Sequence, residues 1–423
     1  MSKNTKNNLT GQPILSQLFH LIPESIIKDS VEKFKSDHYT KRFKTKDHLL
    51  CMMFGVLTKC STLREICKNI LFLGTKLTYC GLVNPPKRST FSDANADRGH
   101  EVFGAIYYRL YAHYRSFLSD SCIAMEINKE IDPEKVEVFD STTITLFKEV
   151  LKGAGRNPVD GKRKGAIKAH TQARLSDMVP HFIHFTAGAS NDKDFLKVME
   201  LPEGSIGVFD KGYHNYARYQ QWNESNRFYV TRINDNARFK IIEQLQVEHF
   251  SENGVIADQL IDLSYKCRND KTIKQVKARL ICYIDPVSGK KLSFLTNMFE
   301  AKAMTVCLLY QNRWSIEILF KQLKQNFELT YFLSDSENGI KIQIWVALIL
   351  NLLFEVIHRQ IKEAEDFATM VKIAAKNLCS YVSLVKFLIN PFAEWLKEKE
   401  KELGKTQFNL FDPDQGGVFE NSA

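Results

Sequence analysis

The sequence predicts a mixed α/β protein: a helical N-terminal region, a mixed sheet with a β-rich insertion, and closing helices. Three observations carry this. Val136-Glu-Val-Phe-Asp140 and Ile206-Gly-Val-Phe-Asp210 are short β-branched and aromatic runs that each close on an aspartate. Such runs read as buried strands that deliver a carboxylate at the strand tip. Apolar residues recur at helical spacing through much of residues 10–125 and again from Leu309 to Phe327. Between about 236 and 300 the alternation stays strand-like. These shifts divide the chain into a helical region 1–130, a first sheet segment 131–235, an insertion 236–300, a second core segment 301–395 and a tail 396–423.

In chain order, Ile14–Phe34 and His48–Thr58 have helical spacing, with a basic, aromatic-rich stretch from Lys33 to Lys44 between them. Ser61 is the candidate N-cap of the next helix, although Glu65 stands one place beyond capping-box spacing. After Pro85-Pro86, Lys87-Arg88-Ser89-Thr90 opens another helix through Asn95 to Tyr107. A helix, a turn and a second helix that opens on cations and hydroxyls suit a DNA-groove reader, as well as an ordinary polar surface. Strands are expected at Val136–Asp140, Ile167–Leu175, His181–Thr186, Ile206–Asp210 and Phe228–Ile233, with short helices at Asp192 and from Asn215 to Trp222. The link from Lys148 to Lys168 carries Lys152, Arg156, Lys162, Arg163 and Lys164 and reads as a basic loop. Val276–Asp285 and Lys291–Met298 flank a turn-rich tip and form a hairpin. Helices follow at 340–359 and 370–388, and the chain past Glu398 reads as frayed.

The densest chemistry lies in Tyr310-Gln-Asn-Arg313-Trp-Ser-Ile-Glu317-Ile-Leu-Phe-Lys321-Gln-Leu-Lys324. On one continuous helix, Tyr310, Arg313, Glu317, Lys321 and Lys324 would share an arc of roughly 80°. Leu309, Ile316, Phe320, Leu323 and Phe327 would glue that helix to a core. A carboxylate ringed by cations suits a place where a metal and a phosphate meet. The plain alternative is a solvated face with an i,i+4 pair such as Glu317–Lys321. Asp140 and Asp210, on neighbouring strands facing Glu317, would complete a set able to hold two Mg²⁺ ions about 4 Å apart.

Composition sets the class. With 44% apolar and 25% charged residues the chain is an ordinary globular protein, too long at 423 residues for one ordinary core. Lysine and arginine exceed acids by 58 to 49, a net +9 that suits a polyanionic partner. Nine scattered cysteines without a C-x-x-C pair read as reduced thiols of a cytosolic protein, not a disulfide frame or zinc site. The polar start lacks a signal-peptide core, and the apolar run Ile344–Ile357, broken by Asn351 and Glu355, reads as too short for a membrane span.

Asp140, Asp210 and Glu317 resemble the three acids of the DDE transposases. Tyr310-x2-Arg313-x3-Glu317-x6-Lys324 matches the Y-R-E-K motif of the insertion-sequence-4 family, and Asp140-Ser-Thr and Asp210-Lys-Gly-Tyr213 resemble its aspartate blocks. The likeness is strong over about 130–330 and looser before it. It implies a ribonuclease-H-like catalytic domain, whose strand and helix order the expected elements match. The long gap between Asp210 and Glu317 is similar to the family's β-rich insertion, and the preceding helices would be a DNA-binding domain. It implies Mg²⁺-dependent cleavage at element ends and cut-and-paste strand transfer, with two metal ions on Asp140, Asp210 and Glu317 and Mn²⁺ as a substitute. Tyr310, Arg313 and Lys324 would grip the non-transferred strand, and two protomers would pair the two inverted-repeat ends of double-stranded DNA; Lys321, on the same helix face, is a further expected phosphate contact. The expected setting is a bacterial cytoplasm, at the nucleoid. Two alternatives remain open at this point: a ribonuclease-H-like endonuclease without strand transfer, and an inactive DNA-binding protein.

Overall fold

The computed structural model describes residues 11–119, 130–145, 166–188, 190, 192–245, 254–266, 271–327, 329, 332–361 and 366–410. The basic residues 152–164 therefore lie outside the described residues, as do residues 411–423 of the tail.

The N-terminal region is helical. Helices α1 (Ile14–His20) and α2 (Glu24–Phe34) are separated at Pro23, whose ring fixes φ at −55° and which has no amide hydrogen for a continuous helix. Helices α3 (Thr45–Leu57) and α4 (Leu63–Phe72) follow. Thr62, not Ser61, caps α4: its hydroxyl accepts from the Glu65 amide at 3.1 Å, while Glu65 accepts from the Ser61 amide at 2.8 Å. The Thr62–Glu65 spacing is the one a capping box requires. The expected helix from Asn95 to Tyr107 is also two, α5 (Arg88–Asp97) and α6 (Glu101–Leu118), because Arg98 leaves helical geometry at ψ 110°. Its guanidinium is buried, donating to His48 Nδ1 at 2.9 Å and to the Phe43 carbonyl at 2.8 Å.

Among the described residues nine strands form one sheet in the order β3-β2-β1-β4-β5-β9-β8-β7-β6. Strand β1 (Val136–Thr145) pairs antiparallel with β2 (Ala166–Arg174), and β2 with β3 (Pro180–Ala187). On its other edge β1 runs parallel to β4 (Ile206–Phe209), which runs parallel to β5 (Phe228–Arg232). An antiparallel meander then extends the sheet: β6 (Arg238–Gln244), β7 (Val255–Lys266), β8 (Ile273–Ile284) and β9 (Lys291–Thr296), with β9 joined to β5. The insertion thus prolongs the core sheet. The expected hairpin is β8–β9.

Strand β1 does not stop at Asp140. Past that residue it keeps pairing with β2, from Asp140↔Thr171 to Thr145↔Ala166, whereas its parallel pairing with β4 ends at Phe139↔Phe209. The β-branched run Thr142-Thr-Ile-Thr145 favours extension, so the acid marks the loss of one neighbour, not the strand end.

Period-2 alternation sends the strands' side chains to two cores. Val136, Val138, Val208 and Val230 face one core. Phe139, Phe209 and Tyr229 face the other, with Tyr213, Tyr219 and Trp222. The last two come from α8 (Tyr216–Glu224), and α7 (Asp192–Val198) lies on the same side through Phe195 and Leu196. Gly207 makes room there, since a Cβ would fall 2.7 Å from the Phe139 ring. The first core is closed by α9 (Ala303–Asn312), α10 (Trp314–Asn326) and α11 (Glu337–Gln360). It is continuous with the N-terminal helices, because α11 packs on α3, α5 and α6.

Helix α11 exceeds the apolar run read from the sequence. Its 24 residues are long and apolar enough to cross a membrane, but 89% of its apolar window is buried inside the protein, so it acts as a core helix. Beyond it come α12 (Phe367–Lys376), α13 (Leu384–Ile389) and α14 (Pro391–Leu410), so helix continues well past Glu398.

Candidate active site

The same alternation that buries Val138 and Val208 points Asp140 and Asp210 to the α9–α10 side of the sheet. The register Phe139↔Phe209 makes the two aspartates neighbours, at the carboxyl end of the parallel pair. Asp210 directly follows β4 and keeps an extended backbone, with φ −77° and ψ 161°.

Opposite them the predicted single helix is two, α9 and α10, meeting at Arg313. The Arg313 amide reaches the Tyr310 carbonyl at 3.1 Å, an i→i−3 bond that tightens the chain locally. The apolar stripe holds: Leu309, Ile316, Phe320, Leu323 and Phe327 are all buried. The polar residues divide. Tyr310 and Arg313 are only 5% and 6% exposed, while Lys321 and Lys324 are exposed further along α10.

Tyr310 and Arg313 turn toward the acids. The Tyr310 hydroxyl donates to Asp210 Oδ1 at 3.0 Å, and its ring packs on Phe294 at 4.9 Å. Arg313 donates from Nη1 to Asp140 Oδ2 at 2.9 Å and from Nη2 to Glu317 Oε1 at 2.6 Å, while its Nε is buried without a partner. The i,i+4 pair of Glu317 is therefore with Arg313, not with Lys321. Lys324 donates from Nζ to the Thr143 carbonyl at 3.2 Å. Asp140, Asp210, Glu317, Tyr310 and Arg313 thus meet in one cluster, with Lys321 and Lys324 at its outer edge.

The electrostatics of the cluster are set first by burial. Burial pushes the Asp140 carboxyl up to about 6, against the pull of Arg313, with Glu317 and Asp210 adding to the rise. Burial also pushes the Tyr310 phenol up to about 12, so it is a hydrogen-bond donor at neutral pH. Burial works against the Arg313 charge, but Tyr310, Asp140 and Glu317 together hold its pKa above the ordinary value. Burial lowers the pKa of Lys324.

The three acids offer only carboxylate oxygens, the hard donors that Mg²⁺ or Mn²⁺ takes. Among the described residues no three His, Cys, Asp or Glu side chains group closely enough to hold an ion as they stand. Two of the acids instead share one guanidinium. The chemistry of the donor set is that of a divalent-cation site, with Arg313 now bridging two of its acids.

Sequence reading missed a second polar cluster on the other face of the sheet. Asp192 Oδ1 accepts from Lys168 Nζ at 2.9 Å and from Ser141 Oγ at 3.1 Å, and the buried His170 lies 3.8 Å away. The Tyr213 hydroxyl is 3.4 Å from His170 Nδ1. The cluster joins the residue after Asp140 to the turn after Asp210. Its signal was a lysine and a histidine inside the strand Ala166–Arg174, where both faces are buried.

Residues 132–353 match the family described as the transposase DDE domain, and residues 10–83 match a domain of unknown function. A protein of Sinorhizobium fredii named for a transposase, y4zB, is 26% identical over 65% of this chain and 72% of its own length. A Synechocystis protein named for the transposase of insertion sequence element IS4SA is 24% identical over 71% of this chain and 80% of its own. A solved chain in a piggyBac transposase synaptic complex with hairpin DNA has a TM-score of 0.44 and 12% identity, over 96% of this chain and 87% of that one. Because the DDE-domain match spans more than half of the chain and ends beyond the α10 cluster, this protein belongs to the transposase DDE-domain family, the DNA-cleaving and DNA-joining enzymes of mobile elements.

Proposed function

We propose that this transposase works by cut-and-paste, with Asp140, Asp210 and Glu317 as its metal-holding acids and Mg²⁺ as its ion. What supports this most is the convergence of the three carboxylates from β1, the end of β4 and α10 onto Tyr310 and Arg313. The family generally uses a divalent metal, and the strand order β3-β2-β1-β4-β5 supports a ribonuclease-H-like core. When bound, Mg²⁺ would polarise the phosphodiester and lower the pKa of the attacking hydroxyl or water. Asp140, within β1, and Asp210, just after β4, would supply negative charge from the rigid sheet, so positioning would need no rearrangement of it. Arg313 and Tyr310 hold the carboxylates in register before DNA arrives and become phosphate donors once those contacts loosen. Lys321 and Lys324, exposed further along α10, would supply charge to the backbone of a strand leaving the acids. No side chain needs to form a covalent bond, since phosphoryl transfer depends mainly on positioning and charge neutralisation. We read the partner as double-stranded DNA carrying the element ends, held by two protomers.

The test is incubation of the full chain with labelled DNA carrying the element's inverted-repeat ends and Mg²⁺, beside Asp140→Asn. Metal-dependent cleavage followed by covalent joining to target DNA is expected of the wild type alone. Cleavage without joining would make the protein a nuclease. A folded chain that does not cleave end DNA in Mg²⁺ would overturn the assignment of the acids.

A further inference from the structure

A polar cleft of about 570 Å³ opens between the first turns of α4 and α5 and the segment that leads into α11. Arg64 and Arg88 line it, with Ser61 and Ser92 on the same walls and Asp335 and Ser336 opposite. We infer that this cleft is a track for the phosphodiester backbone of DNA, with Arg64 and Arg88 as its phosphate contacts. The inference rests on the DNA-cleaving function proposed above and adds a site remote in sequence from Tyr310–Lys324.

Both arginines are exposed, and neither forms an ion pair or hydrogen bond with a described residue. Acids are available nearby but are not used: Glu65 bonds to Ser61 instead. Lys59, in the adjoining pocket that shares Ser61 and Leu333, is likewise exposed and unpaired among the described residues. Asp335 is the acid lining the cleft, so two guanidinium groups and a nearby ammonium outweigh one carboxylate. The positive ends of the α4 and α5 dipoles add to the same sign.

A guanidinium fork matches phosphate geometry, and arginine and serine are typical donors to DNA backbone oxygens. The walls at Ser61, Arg64, Arg88 and Ser92 are open to solvent, which suits a polymer lying across the cleft rather than an enclosed small molecule. Placement supplies the purpose. The segment Phe332–Ser336 lies between catalytic helix α10 and core helix α11, and α11 also packs on α5. DNA held here would be fixed to the body that carries Glu317.

The experiment is a salt titration of binding by the full chain, using element-end duplex and random duplex, for wild type, Arg64→Ala, Arg88→Ala and Asp335→Asn. Melting curves check that each variant is folded. Each arginine variant should lower the slope of log K against log salt by about one unit and weaken both duplexes alike. Asp335→Asn should tighten both. Unchanged slopes in folded arginine variants overturn the inference, as does a loss confined to the element end, which would mean base reading. The same preparations are assayed for Mg²⁺-dependent cleavage. A wild type that cleaves while the slopes stay unchanged sinks the cleft alone, whereas shifted slopes with no cleavage sink only the catalytic proposal.

Discussion

Arg313 Nη1 lies 2.9 Å from Asp140 Oδ2, joining residues 173 positions apart in the chain. Through its other arm the same guanidinium holds Glu317, so one buried cation bridges two acids from separate elements. This arrangement gives Asp140 and Glu317 a shared counter-charge where β1 meets α10, while Asp210 is held by the Tyr310 hydroxyl. On the metal assignment proposed above, Arg313 would have to share these acids with the ion.

Removing that cation tests the idea. Arg313→Met should destabilise the metal-free protein by about 2 kcal/mol, between the values for surface and fully buried pairs, because Glu317 is partly exposed. Mg²⁺ should then restore more of the melting temperature in the variant than it adds to wild type, since it replaces a lost charge. Thermal melts with and without Mg²⁺ give the answer. An equal response in both proteins would place the metal elsewhere.

The aspartates should fail differently from the cations. Asp140→Asn and Asp210→Asn should each lower Mg²⁺-dependent cleavage by about 10³-fold, the equivalent of roughly 4 kcal/mol of barrier. Binding of the end duplex should remain within about twofold, because the exposed cations lie elsewhere. A parallel loss of binding and cleavage by folded variants would assign both acids a structural role.

Acid sensitivity should come from His48. It is fully buried, accepting from Arg98 at Nδ1 and bonded through Nε2 to Asn95 at 2.8 Å, which fixes the neutral tautomer. Burial first, then the Arg98 charge, lowers its pKa from 6.5 to about 3. The unfolded chain takes up this proton below pH 6.5 and the folded chain does not, so the stabilisation is complete above 6.5. It is lost progressively as pH falls toward 3, by about 5 kcal/mol in all. Burial lowers the pKa of His170 to about 4, which adds to the same trend. Denaturant unfolding between pH 7 and 5 should show stability falling with acid, with a shallower slope in His48→Gln. Identical slopes would mean that His48 is protonated in the fold.

Much of this architecture can be read in the residues themselves. The repeated Val-Phe-Asp runs announce two strands with acids in equivalent positions, and alternation alone places those acids on one face. The stripe from Leu309 to Phe327 announces the face on which α9 and α10 pack. Choice among local partners cannot be read this way. Glu317 has Arg313 four residues before it and Lys321 four after, and helical spacing favours neither; the buried position of Arg313 against β1 decides. The pairing of Lys168 with Asp192 depends likewise on a long-range fold, since a lysine in a strand looks solvent-facing until both faces are covered. The N-terminal helices read as a separate unit, but α11 joins them to one hydrophobic core with the sheet across more than two hundred residues.

The outer end of α10 gives the sharpest contrast between neighbours. Lys324 is exposed and, among the described residues, is held by the Thr143 carbonyl, so Lys324→Ala should leave the fold intact and remove one phosphate contact. Its salt slope should fall by about one unit, with little change in preference between element-end and random DNA. Glu317→Gln removes a negative charge from the same surface and frees half of the Arg313 fork. DNA binding should hold or tighten, while cleavage falls by about 10³-fold for want of a carboxylate at the metal. Folding defects would push both variants the same way, so opposite signs in binding would separate charge from stability. Normal cleavage by Glu317→Gln in Mg²⁺ would remove Glu317 from the catalytic set and leave it as the ion-pair partner of Arg313.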